Sequence, residues 1–209
     1  MLGIFGGTFD PVHFGHIKLA MALLEHFDFE KIQFIPCRQS PLKQEVYADA
    51  RHRWKMLNLV TNSNAKLITD DRELKCPGLS YSINTLKELR AETNNQQVLA
   101  LIVGVDAFLN FCRWHQYDEI LSFCNIMLLQ RPGYALPKYG CEKELYAAHV
   151  TDDIVEFSES LNGYIYLSDI EKISVSSKAI RKCIAEGEQP RYLLPGNVWN
   201  YIRNNNLYQ

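Results

Sequence analysis

The sequence predicts an α/β fold in which a mostly parallel central sheet is flanked by helices. Two observations carry this. Short β-like runs alternate with amphipathic stretches along the 209 residues. Val98–Val103 and Asn125–Leu129 are near-continuous apolar runs, typical of parallel strands buried on both faces.

The elements follow in order. Leu2–Phe5 reads as a strand and Gly15–Phe27 as a helix, with Ile17, Ala20, Met21 and Leu24 at i, i+3, i+4 and i+7 on one face. Lys31–Ile35 reads as a strand stopped by Pro36, and Asp49–Thr61 as a helix carrying Trp54, Leu57 and Val60 or Thr61 along it. Lys66–Thr69 is a candidate strand, and Ser82–Ala91 a helix with Ser82 as its cap. After the strands at Val98–Val103 and Asn125–Leu129 comes a loop with Pro132, Gly133, Pro137 and Gly140, then a short helix near Cys141–His149. Strands are expected near Ile154–Phe157 and Tyr164–Leu167. Two helices close the chain: Ser176–Glu186, then Pro195–Asn205 with proline at its first position. Neither a repeat nor a linker interrupts the pattern, so one domain over 1–209 is expected, with a helical part from about 174 packed on it.

Composition excludes several classes of function. The formal net charge is −2, which argues against a general binder of nucleic acid or anionic membranes. No apolar run approaches the ~20 residues that a membrane-spanning helix needs. The start, MLGIFGGTFDP, lacks the basic and apolar regions of a secretory signal. None of the six cysteines (Cys37, Cys76, Cys112, Cys124, Cys141, Cys183) is paired at CxxC spacing. Buried free thiols in a reducing cytoplasm are therefore expected.

In parallel α/β sheets ligands bind beyond the carboxyl ends of the strands. The first strand-to-helix loop, Gly6-Gly7-Thr8-Phe9-Asp10-Pro11-Val12-His13-Phe14-Gly15-His16, is the most informative segment. Two glycines after a strand let backbone amides approach a phosphate closely. His13 and His16, three apart at the start of a helix, share a face and point to whatever anion sits on that helix terminus. The loop is neither GxGxxG nor GxxxxGK[ST], so it is not the usual dinucleotide fingerprint or a P-loop. Near the other end, Ser176, Ser177 and Arg181 combine hydroxyls, helix-start amides and a guanidinium fork. Two helix-start anion sites in one chain suggest a triphosphate held between them. Gly104 and Asp106 follow the strongest central strand, where a carboxylate either caps a helix or accepts ribose hydroxyls.

These residues resemble a known pattern. GGTFDPVHFGH is similar to the GTFDPxHxGH motif of the HxGH nucleotidyltransferase superfamily, and within it the chain resembles the bacterial nicotinate-nucleotide adenylyltransferase family. Ser80-Tyr81-Ser82 before Thr85-Leu86, Gly104-Val105-Asp106 leading to Trp114, Arg131-Pro132-Gly133-Tyr134, and Val175-Ser176-Ser177-Lys178-Ala179-Ile180-Arg181 follow in the family's order. The resemblance implies a Rossmann-like nucleotidyltransferase fold. It implies adenylyl transfer from ATP to nicotinate mononucleotide, giving nicotinate adenine dinucleotide and pyrophosphate, with Mg2+ carried by the ATP phosphates. His13, His16 and Arg181 would be catalytic. ATP would lie on Gly6, Gly7, Thr8, His13, His16, Gly104, Asp106, Ser176, Ser177 and Arg181. The mononucleotide would meet Thr8, Phe9, Asp10, Lys43, Ser82, Ile83, Trp114 and His115, with Trp114 stacked on the nicotinate ring and amides near Ile83 and His115 on its carboxylate. Two positions depart from the family pattern: Lys178 stands for a threonine, and Leu42 for the histidine that usually precedes the Lys43 position.

Other readings stay open at this point: a nicotinamide mononucleotide or phosphopantetheine adenylyltransferase, a tRNA-acting relative, or a non-catalytic nucleotide sensor. The length leaves no room for an anticodon domain, and the charge balance gives no basic surface for tRNA. Homo-oligomerisation is not decided by the sequence.

Overall fold

The computed structural model describes residues 1–42, 46–171 and 175–209. The elements are β1 (Leu2–Gly7), α1 (Phe14–His26), β2 (Lys31–Pro36), α2 (Ala50–Thr61), β3 (Leu67–Thr69), α3 (Arg72–Lys75), α4 (Ser82–Glu92), β4 (Leu99–Gly104) and α5 (Val105–Phe108). A 3-10 turn (Phe111–Arg113) follows, then α6 (Tyr117–Ile120), β5 (Asn125–Gln130), α7 (Cys141–His149), α8 (Ile154–Glu159), β6 (Ile165–Glu171), α9 (Ser177–Ala185) and α10 (Gly196–Asn204). The six strands form one sheet in the order β3-β2-β1-β4-β5-β6, with every neighbouring pair parallel.

Alternation along β1 divides the core into two layers, because successive side chains leave opposite faces of a strand. Phe5 packs on one face with Leu19, Leu23, Met56, Leu57, Ile180, Val198 and Ile202, so α1, α2, α9 and α10 cover that side. Leu2 and Ile4 pack on the other with Ile83, Leu86, Phe108 and Ile120, beneath α4, α5 and α6. The chain runs outward from β1 through β2 to β3, then returns to build β4, β5 and β6 on the opposite side. That reversal places a crevice at the carboxyl ends of β1 and β4. Pairing between these strands covers only Leu2 to Ile4, although they continue to Gly7 and Gly104.

Several local expectations are corrected. Residues 154–157 form helix α8 instead of a strand, because the Asp153 carboxylate accepts the Val155 and Glu156 amides and caps a helix. Only Phe157 of that helix is buried, so no alternating face exists. The buried stripe of α1 is Gly15, Leu19, Ala20 and Leu23, while Met21 faces solvent; the helix has more apolar residues than its contact face can use. Ser82 is the first residue of α4 and Tyr81 holds the cap position, while Pro195 precedes α10 as its cap.

The cysteine expectation also fails in part. Cys112 and Cys141 are joined in a disulfide, Cys76 is exposed and Cys183 half-buried; only Cys37 and Cys124 are buried free thiols. A separation of 29 residues hides from spacing a pair that the fold brings to 6.3 Å between Cα atoms.

Candidate active site

The β1–α1 loop leaves the sheet at the crevice and folds back on itself. Phe9 has a φ of 49°, in the left-handed region, and its ring lies over Gly7. A Cβ on Gly7 would stand 3.0 Å from that ring, so a side chain there would push the loop open. His13 caps α1 and is 2% exposed. His16 lies one turn on, with the two imidazoles stacked at 3.7 Å between centroids. Gly15 makes room for them, since a Cβ there would reach the His13 ring at 3.0 Å. The His13 amide donates to Nδ1 of His16 at 3.3 Å. In the neutral ring this places the His16 proton on Nε2.

The start of α9 docks on this loop. Ser176 caps the helix by accepting the Ala179 amide, the Ser177 hydroxyl donates to the Pro11 carbonyl at 3.0 Å, and Nη1 of Arg181 donates to the Asp10 carbonyl at 2.6 Å. The Arg181 guanidinium also lies 4.1 Å from the Tyr47 ring centroid, a cation–π contact. Thus the two helix starts singled out in the sequence form one locus, with His13, His16, Ser177 and Arg181 around it.

Asp10 is almost fully buried. Its carboxylate accepts the Tyr47 amide at 2.7 Å, the Ala48 amide at 3.1 Å and the Tyr208 hydroxyl at 2.7 Å. Burial, then the neighbouring Asp10 charge, push the Tyr208 hydroxyl well above the usual phenol range. The carboxylate of Asp10 therefore ties the loop to two other segments.

Across the crevice, Gly104 caps α5 and Asp106 lies in its first turn. An oxygen of Asp106 is ion-paired with Arg131, which leaves β5 and also lies over the Tyr134 ring. Trp114 follows the 3-10 turn, packs on Phe111 at 4.9 Å, and has a buried indole N–H with no hydrogen-bond partner among the described residues. His115 meets the Tyr81 ring at 4.4 Å, which brings residues 114–115 beside the first turn of α4, where Ser82 is half-buried and Ile83 fully buried. The Trp114 loop and the α4 start thus share a wall of the crevice. Lys43 lies outside the described residues.

Two side chains central to this architecture were not singled out from the sequence. Arg53 sits inside the protein with its guanidinium on backbone carbonyls, and Tyr208 reaches Asp10 from 198 positions away. Arg53 had a readable signal, because it stands in phase with the buried stripe Met56, Leu57 and Val60. Tyr208 had none.

Comparison with known proteins identifies the family. A cytidylyltransferase-like family model matches residues 4–183. A probable nicotinate-nucleotide adenylyltransferase from Methylococcus capsulatus is 35% identical over all of this chain and 99% of its own length. One from Coxiella burnetii is 36% identical, over 100% and 98% respectively. The fold is also that of the Plasmodium falciparum nicotinic acid mononucleotide adenylyltransferase complexed with NaAD, with a TM-score of 0.75 at 18% identity, over 99% of this chain and 96% of that one. With the HxGH loop, the docked α9 start and full-length similarity in agreement, the chain belongs to the cytidylyltransferase-like family, among its nicotinate-nucleotide adenylyltransferases.

Proposed function

We propose that residues 1–209 act as one nucleotidyltransferase domain that moves the adenylyl group of ATP onto nicotinate mononucleotide. The carrying observation is the docking of Ser177 and Arg181 onto the loop that presents His13 and His16. A phosphate oxygen of the mononucleotide attacks the α-phosphorus in line. The new P–O bond forms as the bond to the β-phosphate oxygen breaks, giving nicotinate adenine dinucleotide and pyrophosphate. The attacking phosphate is already anionic, so no general base is needed and catalysis rests on positioning and charge stabilisation.

His16 donates from Nε2 to the α-phosphoryl oxygens, its orientation set by the His13 amide. His13, Ser176, Ser177, Arg181 and the amides around Gly6, Gly7 and Thr8 hold the triphosphate, with Arg181 on the departing pyrophosphate. Asp106 and Gly104 face the ribose. Thr8, Phe9, the Asp10 backbone and Lys43 face the mononucleotide phosphate. Trp114 provides the platform for the ring, with Ser82, Ile83 and His115 around the carboxylate. Among the described residues no group of three or more His, Cys, Asp or Glu side chains could hold a metal ion. Mg2+ is proposed to enter as MgATP, held by phosphate oxygens. Among the described residues no helix is long and apolar enough to cross a membrane; the cytoplasm is the proposed place of reaction.

A pyrophosphate-release assay with MgATP and either nicotinate or nicotinamide mononucleotide tests the reading. Turnover with nicotinate mononucleotide is expected; no release with either substrate would refute it.

A further inference from the structure

We infer that Arg53 is a positioning residue for adenylyl transfer, fixing the peptide planes of the phosphate-binding loop from behind. The inference rests on the adenylyl-transfer reading. Arg53 is 1% exposed and lies on α2, outside the crevice. Its Nη1 donates to the carbonyls of Thr8 at 2.9 Å and Cys37 at 2.7 Å. Nη2 donates to the Arg38 carbonyl and Nε to the Ala48 carbonyl, each at 3.1 Å. Four carbonyls from three segments thus converge on one fork: the β1–α1 loop, the exit of β2, and the approach to α2.

This is a costly arrangement to keep for stability alone. A buried cation loses its hydration, and an apolar side chain of similar volume often serves a core as well or better. Among the described residues Arg53 makes no salt bridge, so dipoles of carbonyls take the place of a counter-ion. What the guanidinium supplies is shape: a planar fork that reaches several acceptors at fixed angles, which an ammonium cannot copy.

The consequence falls on the loop. In a trans peptide the C=O and N–H point in opposite directions. Holding the Thr8 carbonyl on Arg53 therefore turns the Phe9 N–H away from α2, toward the crevice. Phe9 holds a left-handed backbone that a non-glycine residue keeps only when its surroundings impose it. The same fork holds Cys37, whose amide donates to the Gly7 carbonyl at 2.9 Å, so the ends of β1 and β2 are tied together. Arg53 sets the direction of an amide that meets phosphate without touching phosphate itself.

The test compares wild type with R53K at a temperature at least 15 °C below the melting point of each. Lysine keeps the charge and loses the fork. A misplacement near 1 Å can cost about 10²-fold in rate, so kcat is expected to fall by up to that factor and KM for ATP to rise several-fold. Loss of folded protein would lower kcat but leave KM unchanged. A lower melting point with wild-type kcat and KM would overturn the inference. If R53K does not fold, isotopically labelled wild type titrated with inorganic pyrophosphate decides: the Phe9 amide proton moves downfield if it faces the anion, and an unmoved resonance overturns the inference. An inactive wild type would instead fail the adenylyl-transfer reading, and the titration would still test the loop.

Discussion

Opening the Cys112–Cys141 bridge should lower stability and loosen the Trp114 loop while leaving the HxGH loop intact. The bridge closes a segment of 29 residues, which includes the 3-10 turn's last residues, Trp114, His115, α6 and β5. Chain-entropy arguments give a loop of that length about 3.5 kcal/mol of stabilisation through the unfolded state. At roughly 2–4 °C per kcal/mol for a chain of this size, the melting temperature should fall by about 10 °C. The loss will be partly local, because α7 has no fully buried residue and Cys141 is its first position. Calorimetry of wild type with and without a phosphine reductant, beside C112S/C141S, measures the effect. The double variant should melt like reduced wild type and ignore the reductant. Thiol titration of denatured oxidised protein should find four free groups, rising to six on reduction. Because Trp114 lies two residues from Cys112, KM for nicotinate mononucleotide should rise several-fold, whereas KM for ATP should hold. Equal melting temperatures in oxidised, reduced and variant protein would refute the reasoning.

Four further outcomes are expected. His16→Ala should keep the fold and lower kcat by ~10²–10³, the usual cost of losing one preorganised donor to developing charge; unchanged turnover would remove His16 from the mechanism. Arg181→Lys should reduce kcat/KM for ATP and spare KM for the mononucleotide, since lysine loses the two-pronged geometry; steady-state kinetics with each substrate varied in turn would expose the opposite pattern. Trp114→Ala should raise KM for nicotinate and nicotinamide mononucleotide by similar factors and keep the preference for the acid, because stacking treats both rings alike while backbone amides select the carboxylate. Burial raises the pKa of Glu73, so its folded state favours the protonated form. That contribution is present at pH below the usual carboxylate range and is lost as pH rises through the raised value. Glu73→Gln, which stays neutral and still accepts the Thr85 hydroxyl, should therefore gain on wild type in urea midpoint between pH 4 and pH 8; a pH-independent gap would contradict this.

The sequence revealed those parts of the molecule whose cause is local. The strand before Gly7, the capped start of α9 at Ser176 and the stripe of α2 all follow from neighbours within one or two turns. Helix α8 was misread because its two β-branched residues, Ile154 and Val155, suggest a strand, and the Asp153 cap outweighs them. The four-residue helices α3, α5 and α6 are too short to show a period. For the candidate site, residue type and order single out His13, His16, Ser177 and Arg181, which the fold brings to one locus. They could not show that the Asp10 carboxylate is occupied by Tyr47, Ala48 and Tyr208, or that Asp106 is paired with Arg131. Those facts depend on partners between 25 and 198 positions away, and no periodicity encodes them.

The distant partners of the β1–α1 loop mostly take its oxygens, which suits the proposed phosphate site. Among the described residues, the end of the chain meets the β1–α1 loop through Ser177 on the Pro11 carbonyl, Arg181 on the Asp10 carbonyl and Tyr208 on the Asp10 carboxylate, while the Phe14 amide donates to the Leu193 carbonyl. Arg53 approaches from α2 and takes the Thr8 carbonyl. The Thr8 and Pro11 carbonyls are thereby held back, and in these two peptides the following amides, those of Phe9 and Val12, turn in the opposite sense; the Asp10 carbonyl precedes proline and carries no amide with it. A loop with those oxygens withdrawn presents donors, the arrangement that the proposed phosphate site calls for. The order of the chain matters for this reason. The HxGH motif lies within the first sixteen residues, but its loop is held by side chains from α2, α9 and the C-terminal segment, and only the finished fold brings them to it.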